Sequence, residues 1–215
     1  MPRRALTVKQ KRPYDASRRQ EQARRNRDRI IVAAERLFMR DGYAATTIAA
    51  VAIAADVSED TIYKSFGSKP GLVRAIRVKA LEGRGPVPAE QRSDEVQTRE
   101  TDGRKVIEAW GALTTEVMPR VAPVLLLIRD AAAADPEGQA LLEELDADRL
   151  RRMTENARRL RGGGHLRTGI TLAQAADVLW TYSSPELYEL LVLRRGWSPG
   201  RYGRFVANAM IDALL

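Results

Sequence analysis

Apolar residues return along this 215-residue chain at three- and four-residue steps, and no stretch of strand length alternates between apolar and polar. That periodicity restricts the chain to helices, because a half-buried strand sends alternate side chains to opposite faces and needs a period of two. No internal repeat at fixed spacing is present, so the helices are read one by one and not as a stacked array. The fold class that follows is all-α, with about nine or ten helices.

Glycine, proline and capping residues punctuate the pattern. Residues 1–16 hold Arg3, Arg4, Lys9, Lys11 and Arg12 with two prolines and no apolar period, and read as a disordered basic arm. From Ser17 to about Arg40 there is neither glycine nor proline, and Ile30, Ile31, Ala34, Leu37 and Phe38 make one stripe that ends at Gly42. Either hydroxyl of Thr46-Thr47 can accept from an orphan backbone N–H and start a two-turn helix carrying Ile48, Val51, Ala52 and Ala55. Asp56-Val57 interrupts it. Ser58 caps a third helix reaching Phe66, with Glu59 and Asp60 at the positive end of its dipole. Gly67 closes that helix, and Ser68 opens a fourth through Leu72, Val73, Ile76 and Ala80.

Residues 83–102 are rich in glycine, proline and charge and poor in hydrophobes, so they read as a surface linker or poorly ordered loop. Beyond them the chain reads as helices over about 103–118, 119–134, 136–161, 172–183, 185–195 and 198–215, with Ser184-Pro185 and Ser198-Pro199 as cap-then-proline starts. The expected organisation is a basic arm at 1–16, a helix-turn-helix unit at 17–82, a linker at 83–102 and a helical unit at 103–215.

Charge separates these units. Residues 1–84 hold 19 Lys and Arg against 9 Asp and Glu, a balance of +10, whereas residues 85–215 hold 17 against 19, a balance of −2. One segment is therefore built to meet a polyanion, either a phosphate backbone or an anionic membrane surface. The chain has no cysteine and one histidine, His165, which excludes disulfides, thiol nucleophiles and clustered-histidine metal sites, and no cofactor is expected. His165 itself reads as a loop residue. The longest apolar run, Val121 to Ile128, is far short of a membrane span, so a cytoplasmic protein without a membrane partner is expected.

Two short helices joined by a tight turn, Thr47–Ala55 and Ser58–Phe66, decide between the polyanions, because a helix-turn-helix lays its second helix in the DNA major groove. Ile48, Val51, Ala52 and Ala55 can bury against Val57, Ile62 and Phe66, which leaves a polar outer face. That face offers Ser58, Glu59, Asp60, Thr61, Tyr63 and Lys64, a mixed set suited to base edges and phosphates. Lys69, beside the capping Ser68, adds an ammonium and orphan N–H groups for a phosphate. Arg18 and Arg19 continue the basic arm and can track phosphates or a neighbouring minor groove.

The runs Gly42-Tyr43-Ala44-Ala45-Thr46-Thr47-Ile48-Ala49, Ala54-Ala55-Asp56-Val57-Ser58 and Thr61-Ile62-Tyr63-Lys64-Ser65-Phe66-Gly67-Ser68-Lys69 resemble the DNA-binding signature of the TetR family. The resemblance spans roughly residues 24–80 and implies a homodimer on a palindromic duplex operator. It assigns Thr47, Tyr63 and Lys69 to phosphates and Thr61 with its neighbours to bases. The family commonly has glycine where this chain has Asp56 and again where it has Asp60. Asp56 can adopt left-handed geometry. Asp60 either accepts from a cytosine amino group or only stabilises its own helix end.

In the second unit, Trp110, Met118, Arg129, Met153, Trp180 and Tyr182 are candidates to line a small-molecule pocket, each against a plain core or surface alternative. Arg129 can also pair with Asp130 or Glu116 at the surface. Val178, Leu187, Leu190, Leu191, Phe205 and Met210 supply more apolar surface than the last helices need and are candidates for a dimer interface. The expected protein is a DNA-binding repressor released from its operator by a small-molecule effector. Two alternatives stand beside it: a sequence-nonspecific, charge-driven DNA-binding protein, and an enzyme using carboxylates such as Glu108 and Glu116. The enzyme lacks any nucleophile–base pairing or phosphate loop, and none is expected.

Overall fold

The computed structural model describes residues 16–85 and 87–215. The basic arm expected over 1–16 lies, but for its last residue, outside them. The described residues form ten α-helices, one π-helical segment and no strand. The first four helices are α1 (Ala16–Asp41), α2 (Ile48–Ala55), α3 (Glu59–Phe66) and α4 (Lys69–Glu82). Each of the last three starts on a hydroxyl cap: Thr47 accepts from the Ala50 N–H at 3.1 Å, Ser58 from Thr61 at 3.2 Å and Ser68 from Gly71 at 3.3 Å. Of the two adjacent threonines only Thr47 caps. Thr46 is buried and donates to the Gly42 carbonyl at 2.8 Å.

The segment read as a linker contains a helix, α5 (Ala89–Arg99). Periodicity misses it because it buries only small residues, Ala89 and Ser93. Ion pairs hold it instead. Arg92 clasps Glu116 with two hydrogen bonds of 2.7 and 2.9 Å, and Asp94 accepts from both Arg152 and Arg159 at 2.6 Å. Glu116 also accepts from the Arg84 N–H, which fixes the approach to α5.

α6 (Gly103–Ala132) is a single helix where the sequence predicts two, 103–118 and 119–134. Pro119 and Pro123 lie inside it. A mid-helix proline removes a donor and costs about 3 kcal/mol in an isolated helix. α6 survives because it is the central helix, packed against α4, α5, α7, α9 and α10. By length and composition alone it is long and apolar enough to cross a membrane, which the shorter run Val121 to Ile128 did not suggest. α7 (Pro136–Gly162), α8 (Leu172–Tyr182), α9 (Pro185–Tyr188), a π-helical segment Glu189–Arg194 and α10 (Pro199–Leu214) complete the chain. α6 and α10 approach closely at glycines: a Cβ on Gly111 would lie 2.7 Å from both the Ala207 Cβ and the Gly203 carbonyl oxygen.

Two apolar cores result. One gathers Ile107, Leu160, Leu179, Tyr202 and Leu214 around α6 and α10. The other gathers Ile30, Phe38, Tyr43, Val51, Ile62 and Leu72 from α1–α4, and is completed by Val124 and Ile128 of α6 and Leu141 and Leu145 of α7. The helix-turn-helix is thus seated on the α6–α7 end of the larger helical body. Any shift of that end acts directly on the core beneath α2 and α3.

Candidate functional site

α2 and α3 are joined by Asp56, Val57 and Ser58. Asp56 has φ 51° and ψ 56°, the one positive φ on a described residue other than glycine. Aspartate enters this left-handed region more readily than most side chains, so the tight turn forms without the glycine usual there. Ile62 is fully buried beneath α3. On its outer face Glu59, Asp60, Tyr63, Lys64 and Ser65 are exposed, and Thr61 is half-buried. The Ser58 and Thr61 hydroxyls lie 2.9 Å apart, so the Thr61 side chain rests in the cap of its own helix. Asp60 and Lys64 pair at 2.6 Å one turn apart, which offsets much of the carboxylate's repulsion of any approaching anion.

Lys69 opens α4 and is held on two sides. Its ammonium donates to the Tyr43 carbonyl at 3.1 Å and lies 4.2 Å from the centroid of the Tyr43 ring. The Tyr43 phenol donates in turn to Glu137 of α7 at 2.9 Å; burial and then this carboxylate push its pKa upward. Arg18 and Arg19 are exposed on the first turn of α1, and Arg27 of the same helix donates to the Ser65 carbonyl at 3.1 Å. The predicted residues thus stand at Thr47, the N-cap of α2, along the outer face of α3, and at Lys69, the head of α4.

A cavity of about 720 Å³ opens between α4, α5, α6 and α7. Its α6 side is apolar but for Thr114, with Trp110, Leu113, Val117, Met118, Val121 and Leu125. Trp110, Met118 and Met153 were predicted to line a pocket and do line this one. Arg129, Trp180 and Tyr182 do not. Arg129 is drawn outward to Glu189 at 2.7 Å and Asp130 at 2.8 Å, the surface pairing open to it. The Trp180 ring is covered by the Arg149 guanidinium at 4.4 Å, and Tyr182 packs on the edge of the larger core.

The residues that reasoning from sequence missed are the polar ones on α7 and the α5 wall. Arg149, Arg152 and Asn156 follow Leu145 at helical spacing, so the periodicity of α7 placed them on its inward face. Arg77 of α4 and Asp148 of α7, 3.1 Å apart, form an ion pair in the cavity wall. Arg74 and Glu144 repeat the link one turn away with two bonds of 2.6 Å.

Among the residues expected at a dimer interface, Leu190 is 51% and Phe205 39% exposed, and Val178 and Leu187 are half-buried. Leu191 and Met210 are corrections: at 7% and 5% exposure they belong to the core of the chain itself. Met210 turns inward because α10 packs along α6, and Leu191 because the π-helical segment packs on α9 and α10. Leu193, 55% exposed, lies beside Leu190 and was not anticipated.

Residues 30–76 match the bacterial regulatory proteins of the tetR family. The match begins in the buried half of α1 and runs through α2 and α3 into α4. Over this stretch the chain is similar to the TetR family's DNA-binding domain. An uncharacterised HTH-type transcriptional regulator, YvkB of Bacillus subtilis (strain 168), is 39% identical over 66 residues, 31% of this chain. The chain spans 35% of that relative's length in the match. Crystal structures extend the likeness beyond the TetR domain. NalD of Pseudomonas aeruginosa, the secondary repressor of the MexAB-OprM multidrug efflux pump, is 17% identical with a TM-score of 0.70, over 90% of this chain and 98% of that one. FadR of Bacillus subtilis, in complex with stearoyl-CoA, is 15% identical with a TM-score of 0.67, over 87% and 99%. At such identities the shared property is the fold, a TetR-type domain on a helical body.

Proposed function

We propose that this protein is a cytoplasmic transcriptional repressor that binds a palindromic operator as a homodimer and leaves it when a small molecule occupies the cavity. The observation that carries this reading is the mounting of the helix-turn-helix. α4 begins with Lys69 beside the DNA-facing rim and supplies Arg77, about two turns later on the same helix, to the cavity wall. A ligand between α4 and α7 acts on the Arg77–Asp148 and Arg74–Glu144 links and, through α4, on the placement of α3. Two α3 helices in a dimer must meet successive major grooves about 34 Å apart, so a small rotation of each loses the match. Such coupling typically amounts to about 1–3 kcal/mol, enough to empty an operator.

On this reading Thr47, Tyr63 and Lys69 hold phosphates, as do Arg18 and Arg19, while Ser58, Glu59, Thr61 and Lys64 face the bases. Leu190, Leu193 and Phe205, with Val178 and Leu187, supply the apolar patch for the second subunit. The relatives support it in kind: one is a repressor and another holds a bound acyl thioester.

Selection of bound duplexes from a random pool tests the proposal. An enriched inverted repeat with half-sites one helical turn or a multiple apart is expected. Recovery of the pool unchanged would leave a charge-driven binder, which a basic N-terminal segment suffices to explain.

A further inference from the structure

The polar half of the cavity points to the kind of molecule it takes. Arg77, Arg149, Arg151, Arg152 and Arg158 line it against three carboxylates, Glu90, Asp148 and Glu155. Two of those carboxylates are already shared, and Glu90 pairs with Arg152 at 3.6 Å. Asp148 serves both Arg77 at 3.1 Å and Arg151 at 2.8 Å, and Glu155 serves both Arg158 at 3.2 Å and Arg159 at 3.3 Å. The most enclosed of the arginines has a single charged partner. Arg149, its side chain 12% exposed, reaches one carboxylate, Asp146, through a single nitrogen at 3.2 Å. Its remaining bonds go to neutral oxygens, the Trp180 carbonyl at 2.5 Å and the Ser183 hydroxyl at 3.3 Å, and its Nε–H is buried without a partner.

A second lining residue repeats the pattern. Trp110 is 7% exposed, and its indole N–H is buried without a partner. Both unsatisfied buried groups among the lining side chains are donors. Buried donors are nearly always satisfied in folded proteins, and an enclosed, under-compensated cation is costlier still. The opposite wall, from Leu113 to Leu125 of α6, is apolar but for the Thr114 hydroxyl, and carries no charge. Trp110 is the one aromatic side chain among the lining residues, short of the several rings that an aromatic cage for a cation uses.

We propose that the cavity binds an amphipathic anion, an apolar body lying along α6 with a carboxylate-type head held by Arg149, and with the Trp110 N–H available to a further acceptor. This rests on the reading of the cavity as the effector site and names the class of effector.

The test is calorimetric titration of the DNA-free protein with decanoate, 1-decanol and decyltrimethylammonium, each below its micelle-forming concentration, with operator affinity measured in parallel. Decanoate is expected to bind at least about tenfold tighter than either of the others, a factor in keeping with one charge-assisted contact. Arg149→Met should bring decanoate to the level of decanol while leaving decanol within about threefold. Trp110→Phe, which keeps the ring and removes the donor, should weaken decanoate about three- to tenfold and serves if the arginine variant does not fold. Tighter binding of the ammonium, binding of none of the three, or a decanoate preference that survives in folded Arg149→Met overturns the assignment. Decanoate binding that leaves operator affinity unmoved keeps the ligand class and removes the effector role. Operator release by the ammonium alone does the reverse.

Discussion

At the scale of single residues the rim proposed to face DNA is governed by what each side chain already holds. Lys69 is fixed by the Tyr43 carbonyl and ring before any phosphate arrives, so its ammonium is in place at little further entropic cost. Lys69→Ala is expected to lower the salt dependence of DNA binding by about one counterion, and to cost about 1 kcal/mol of stability from the lost cation–ring contact. A salt titration and a thermal melt read the two effects separately. For Asp60, the pair with Lys64 favours the helix-end role over base reading. Asp60→Asn should then tighten every duplex by a similar few-fold factor without changing sequence preference, and a relaxed preference at one base pair would restore the base-reading role. Gly111→Ala should destabilise by about 1–3 kcal/mol through overpacking, because the new methyl meets Ala207 and the Gly203 carbonyl at 2.7 Å. The Asp56 turn was legible in the sequence, as was the cap at Ser58. Which of Thr46 and Thr47 caps was not, since both carry the same hydroxyl and only the burial of Thr46 tells them apart.

Between helices, legibility followed apolar content. α1 to α4, α7, α8 and α10 announce themselves through stripes, caps and prolines, and their observed bounds lie close to those predicted, whereas the helix expected over 185–195 divides into α9 and the π-helical segment. α5 escaped because its attachment is ionic, and α6 was cut in two because Pro119 is a helix breaker unless packing overrides it. The cavity's apolar side was partly readable from Trp110, Met118 and Met153. Its arginine side was not, because charged side chains on a helix are most often solvated and only the fold shows α5 covering them. The ionic attachment has a pH signature. Glu116 is held below its ordinary 4.5 chiefly by the hydrogen bonds of Arg92, and Glu144 chiefly by those of Arg74. Burial pulls Asp94 upward, but Arg152 and Arg159 together bring it below its ordinary 3.8. Carboxylates with depressed native pKa values bind protons more readily in the unfolded chain. Their stabilisation is therefore complete above about pH 4.5 and is lost as pH falls through the native values. Glu116→Gln should flatten the fall in melting temperature between about pH 5 and 3 and speed amide exchange in α5; an unaltered acid profile would contradict the assignment.

Across the whole molecule, the helix-turn-helix belongs to the basic segment 1–84 and the rest of the chain is near-neutral, the two joined by α4 and by the shared core of α1–α4 with α6 and α7. A charge-driven binder has no use for a capped helix presenting a mixed polar face, whereas an operator-binding dimer depends on it. The decisive quantity is the affinity for the selected inverted repeat against a scrambled duplex of equal length, at one fixed salt, for the intact protein and for Tyr63→Ala. The account predicts that the repeat binds at least about a thousandfold tighter, and that Tyr63→Ala, folded and dimeric, loses about tenfold or more on the repeat. Equal affinity for the two duplexes, unchanged in the variant, would contradict it.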